Sequence, residues 1–195
     1  MAAMRYGESS DEQCATAARD GDRDAFSELV RRHQHALYRF VLRMLQSPDE
    51  ALETAQDAFV RAWQALPGWQ PDAAFRTWLF RIASNASLDV LRRRRLVDFV
   101  PLDDECGTGV GALADVRSAD PGPERRLEVK QEMGMLEGLL ARLSAEHREI
   151  LLLREIEDMS YADIGQVLTI GQGTVKSRLA RARAALLQEL AKEEP

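Results

Sequence analysis

Histidine, cysteine and aromatic residues are scarce in this chain, and each scarcity closes off a class of function. Only three histidines and two cysteines occur in 195 residues. Cys14 and Cys106 stand alone, with neither CxxC spacing nor a nearby histidine pair, so the sequence indicates no zinc site and no disulfide framework. They read as incidental thiols of a reducing compartment. His33, His35 and His147 fall in helical stretches among charges and read as solvent-exposed or capping side chains. The sequence has no phosphate-cradling glycine loop, no metal-ligand cluster and no paired nucleophile and base. An enzyme is therefore disfavoured, and no catalytic residue, metal or cofactor is assigned. No apolar run approaches the roughly 18 to 20 residues that cross a bilayer, which argues against direct membrane insertion. The opening MAAMRYGESSDEQC lacks the apolar stretch of a secretory signal, and a cytoplasmic protein is expected. β alternation and fixed-period repeats are missing as well.

What is present is helix-forming and charged. Apolar residues make up 45% and aromatics only 6%, while 30% of residues are charged, a balance that suits a soluble helical protein. The charge is unevenly placed. Between Asp98 and Glu124, seven acids (Asp98, Asp103, Asp104, Glu105, Asp115, Asp120 and Glu124) face Arg117 alone, so this segment carries a charge equal to the chain's net -6. Three prolines and four glycines in the same stretch break helix and strand periodicity, which makes it a linker. The expected organisation is all-α. An N-terminal extension with a first helix (1–19) and a helical bundle (20–96) are joined by a flexible acidic linker (97–124) to a second small helical domain (125–195).

Within the bundle, Phe26, Leu29, Val30, Leu37, Phe40, Val41 and Leu45 recur at three and four, with Asp22 or Asp24 as the cap. Ser47 and Pro48 open the next helix, whose Phe59, Val60 and Trp63 are expected in the core. After the loop PGWQPD, a helix from about Ala73 buries Phe75, Trp78, Leu79, Ile82 and Ala86. Beyond the linker, one helix is expected from Glu124 to Leu143, the next opens at Ser144, and Ser160 caps a third.

The stretch from Ser160 to Leu190 carries the clearest signal. Ile164 and Leu168 are four apart on one helix, Val175 and Leu179 four apart on the next, and Gly165, Gly171 and Gly173 permit a close, sharp turn. This is the helix-turn-helix pattern, whose second helix enters the major groove. Burying Val175 and Leu179 turns Lys176, Ser177, Arg178 and Arg181 outward, and no acid occurs between Gly171 and Gln188. Phosphates are the counterions such a face awaits.

With these motifs the chain resembles a bacterial sigma factor of the extracytoplasmic-function group. DAFSELVRRHQHALYRFVLRML, QDAFVRAWQALPGW and FRTWLFRIASNASLDVLRRRR are similar to sigma region 2, and the run from LSAEHREILLL to LARARAAL is similar to region 4. Leu52 and Thr54 stand where the family usually carries further acids, and Gly171 where Ser or Pro more often opens the recognition helix.

The resemblance implies a promoter-directing subunit of RNA polymerase with no chemistry of its own. It implies that Glu53, Gln56, Asp57 and Arg61 meet the core polymerase (its beta and beta-prime subunits). Lys176, Ser177, Arg178 and Arg181 would read the -35 element of promoter DNA, with Arg183 nearer backbone or solvent. At the -10 element, Trp69 would supply a stacking platform and Asn85 a base-reading amide. Gln70 would line the same site, Arg76 and Arg81 would hold phosphates, and Arg92 to Arg95 would extend that track. An anti-sigma factor, often at the membrane, is a further implied partner. The alternative is a two-domain helix-turn-helix regulator that binds DNA without polymerase.

Overall fold

A computed structural model describes residues 6–71, 74–98 and 134–192, and every described element is helical. The predicted acidic linker lies almost entirely outside the described residues, as do the first ten residues of the expected Glu124–Leu143 helix. The fold is all-α, with two small helical domains.

The first domain contains α1 (Asp11–Arg19), α2 (Arg23–Leu45), α3 (Pro48–Ala65), a 3-10 turn (Leu66–Gly68) and α4 (Phe75–Asp98). The caps explain the boundaries. Ser10 and Gln13 form a reciprocal capping box on α1, and Asp22 accepts from the N–H groups of Asp24 and Ala25 at the start of α2. Pro48 takes the first position of α3, where its missing N–H costs nothing. The core is built from Leu29, Leu37, Phe40, Val41, Phe75, Leu79 and Phe80, each at most 1% exposed.

The second domain contains α5 (134–142), α6 (Ala145–Leu151), a π-helical turn (Leu152–Ile156), α7 (Tyr161–Leu168) and α8 (Gln172–Ala191). Ser144 and Ser160 cap α6 and α7 through the N–H groups of His147 and Asp163, as their positions predict. Ile150, Leu153, Ile164, Val175 and Leu179 form its centre. Arg148, almost fully buried, donates to the carbonyls of Leu140, Ala141 and Leu143 and so closes the end of α5.

Two expectations are corrected. Val60 is exposed at 53% and Trp63 at 36%, because α3 turns its alanines Ala51, Ala55, Ala58 and Ala62 inward instead. Small side chains let α3 approach α2 and α4 closely, leaving its large residues outside. Trp69, expected in an open loop, is 3% exposed and packs against the edge of Phe75 at 6.3 Å.

The two domains touch. α4 packs on α7, and the start of α6 reaches α2. Thr77, Phe80, Ala83, Ser84 and Ser87 are therefore buried in addition to the predicted α4 stripe.

Candidate nucleic-acid interface

The α7–α8 turn is set by local backbone chemistry. Thr169 ends α7 in the left-handed conformation (φ 56°), and the Ile170 N–H returns to the Gly165 carbonyl at 2.9 Å. A Cβ on Gly165 would stand 2.8 Å from the Ile170 carbonyl oxygen, so only glycine fits. Gly171 then begins α8 with no side-chain cap, leaving its first N–H groups free to face an anion.

Val175, Leu179 and Ala182 are buried beneath α8, and Lys176, Ser177 and Arg181 are exposed on the other side. Arg178 is half-buried, 3.9 Å from the Glu146 carboxylate. The four residues predicted to face DNA thus lie on the first turns of one helix. Arg183 is otherwise engaged: its Nε and Nη2 both donate to Glu155, which holds its pKa above the ordinary value.

On the first domain, Trp69, Gln70 and Arg81 line one wall of a cleft of about 600 Å³. Gln166, Thr169 and Ile170, from α7 and its turn, line the other wall. The Trp69 indole N–H is buried with no acceptor among the described residues. Asn85 is exposed one turn beyond Arg81. Arg76 does not point to solvent: it donates to the Glu157 carboxylate at 2.6 Å and to the Glu157 carbonyl at 3.0 Å. Thr77 donates to Asp163 at 3.1 Å, and Ser84 donates to Glu149. The predicted basic track is partly occupied as well, with Arg92 on Asp89 and Arg94 on Glu50.

Burial pushes the Glu149 carboxyl above the usual range, outweighing the Ser84 hydrogen bond and the Arg178 charge that pull it down. Burial does the same to Glu157 against the pull of Arg76, Arg39 and Arg43.

A second surface runs along α3. Glu53, Gln56 and Arg61 are exposed, and Arg61 pairs with Asp57 one turn back at 2.7 Å. Leu52 (53% exposed), Val60 and Trp63 stand beside them, with Trp63 resting on Phe26 at 4.9 Å between ring centres. Sequence reasoning missed these apolar members. The signal was the alanine spacing, which marks the buried side of α3 and leaves the larger residues outside.

His33 was also missed. It is buried, its Nε2 lies 2.7 Å from Asp11, and its ring sits 5.8 Å from Phe75. Phe75 in turn supports Trp69 and Trp78. Hydrogen bonds from His33, then Arg32, hold the Asp11 carboxyl below its ordinary pKa despite burial. Arg32 also donates to the carbonyls of Tyr6 and Ser9, so α1 is bound to the base of the Trp69 loop. Glu28 receives both Arg31 and Arg32, which lower its pKa to about 2.

Comparison with known proteins matches these two domains in order. The family model described as Sigma-70 region 2 matches residues 29–97, and that described as Sigma-70, region 4 matches residues 133–186. The chain is 36% identical over 190 residues to the RNA polymerase sigma-H factor of Pseudomonas aeruginosa, covering 94% of this chain and 96% of that one. It is 32% identical over 181 residues to the ECF RNA polymerase sigma-E factor of Escherichia coli K12, covering 91% and 92%. Among solved structures it is similar to CnrH in complex with the cytosolic domain of CnrY, with a TM-score of 0.70, 29% identity, and 94% and 99% of the two chains covered.

Proposed function

We propose a division of labour among these surfaces from one premise: the chain belongs to the sigma-70 family of RNA polymerase sigma factors, in the extracytoplasmic-function group. It directs polymerase core to promoters. The observation that carries this reading is that two sigma regions occur in order in one chain, each presenting a polar helix face of the right chemistry.

In region 4, α8 enters the major groove of the -35 element. Arg178 and Arg181 have the reach for bidentate guanine contacts, while Lys176 and Ser177 meet bases or phosphates. The uncapped N–H groups at Gly171 favour a phosphate at the helix start. In region 2, α4 and the Trp69 loop serve the -10 element. Asn85 and Gln70 offer amides to an unstacked base, and Arg76 and Arg81 offer charge to the backbone beside it. Trp69 supplies a stacking face only after its loop leaves the Phe75 edge.

Core polymerase meets α3. Glu53, Gln56, Asp57 and Arg61 give register, and Leu52, Val60 and Trp63 give desolvated contact area, the composition of a binding hot spot. The polymerase supplies the chemistry, and this chain is not an enzyme. Its place is the cytoplasm, where an anti-sigma factor would bind it as CnrY binds CnrH.

The test is run-off transcription with purified core and no other sigma factor. Promoter-specific RNA is the expected product. DNA binding without such RNA would instead identify a regulator that works apart from polymerase.

A further inference from the structure

The contacts between the two domains fall on the same face of α4 that region 2 needs for the -10 element. Arg76, Thr77 and Ser84 lie on this face, and each is engaged by a side-chain oxygen of region 4: Glu157, Asp163 and Glu149 respectively. Three carboxylates from three successive segments of region 4 therefore line one helix. Arg76 shows the substitution most directly. Its guanidinium makes two contacts to Glu157, one to the carboxylate and one to the backbone carbonyl, as it would to phosphate oxygens. Across the adjoining cleft, Thr169 and Ile170 face Trp69 and Gln70. A buried arginine strengthens the seam from the other end, since Arg148 donates to the Met44 carbonyl of α2 at 2.6 Å.

We infer that this α4 strip is an interaction surface with two mutually exclusive anionic partners, the carboxylates of the chain's own region 4 and the backbone of the single strand at the -10 element. Region 4 occupies the place of the nucleic acid, and the free chain is closed to strand capture until the domains separate. A single strand cannot reach Arg76 while Glu157 holds it. Affinity for strand is then reduced by the fraction of chains that are open, and that cost is removed when polymerase holds the domains apart.

The closed form predicts proximity that a tethered pair of independent domains lacks. Donor and acceptor dyes at His35→Cys and Gln188→Cys, both exposed positions, report it in the full chain carrying Cys14→Ala and Cys106→Ser. The expected wild-type result is one dominant high-transfer population. Glu157→Gln and Arg76→Ala, which remove opposite halves of the same contact, should each lower the closed-to-open ratio by about tenfold, the scale of one charge-assisted hydrogen bond. Asp163→Asn should lower it less. Because Arg76 and Glu157 sit in different domains, matching effects with unchanged far-ultraviolet circular dichroism exclude local unfolding. A broad low-transfer distribution in the wild type overturns the inference, and so do two variants that retain wild-type transfer.

Discussion

The two promoter-facing helices are kept in opposite states. α8 carries Lys176, Ser177 and Arg181 in solvent, whereas α4 has Arg76, Thr77 and Ser84 bound to carboxylates of the other domain. The difference follows from what each helix must meet. A duplex groove is available before any base pair opens, so its reader is exposed from the start. An unpaired strand exists only late in initiation, so the surface for it can be covered until then. α3, beside α4 in the same bundle, resembles α8 here: its Glu53, Gln56 and Trp63 face outward and await polymerase.

The largest expected effect breaks the support common to both helices. Arg148→Ala removes a buried cation from three carbonyls of its own domain and one of α2, and should cost about 3 kcal/mol in urea unfolding. Gly165→Ala breaks only the α8 side. Its Cβ meets the Ile170 carbonyl, and the overpacked turn should lose about 2 kcal/mol and with it duplex binding by the holoenzyme, while core affinity stays near wild type. Trp63→Ala tests the third surface, with core affinity falling by about 2 kcal/mol and stability little changed, since the indole is partly exposed.

Much of this was legible beforehand. The turn of the helix-turn-helix, the outward α8 residues and the caps at Asp22, Ser47, Ser144 and Ser160 follow from local rules, and local rules are written in adjacent residues. What escaped was burial without an apolar signal. Ser84 and Thr77 are buried because another domain brings carboxylates to them, and His33 because α1 brings Asp11. Periodicity reports greasy faces, so it also misplaced α3: alanines buried by close approach looked weaker than Val60 and Trp63. Trp69 went wrong for a related reason, because a two-proline loop gives no hint that Phe75 waits beneath it.

Titration sharpens the contrast further. Glu149 and Glu157 both carry raised pKa values in the closed chain and regain ordinary ones on opening, so closure takes up protons. Glu149 faces Ser84 and Arg92 on α4, Glu146 on its own helix and Arg178 on α8; Glu157 faces Arg76, Arg39 and Arg43. Dye transfer should be highest at low pH and fall as pH rises through the raised values, with Glu149→Gln flattening the response. Glu28 acts oppositely and within one domain. Its stabilisation is present above the ordinary 4.5 and is lost as pH falls toward about 2, which Glu28→Gln should abolish in thermal melts. The smallest effect belongs to Thr169, a β-branched residue in the left-handed region. Thr169→Gly should stabilise region 4 by about 1 kcal/mol and leave the domain seam in place.

Locking the seam tests the central claim most directly. Thr77→Cys with Asp163→Cys, in the chain lacking Cys14 and Cys106, places two thiols where side-chain oxygens stand 3.1 Å apart. Holoenzyme reconstituted with this chain is followed by permanganate reactivity of unpaired thymines on a promoter that it transcribes. The account predicts promoter opening with the reduced chain, and loss of opening on oxidation that a reductant restores. Equal opening by the oxidised and reduced forms would mean that α4 need not be uncovered for the strand, and would contradict it.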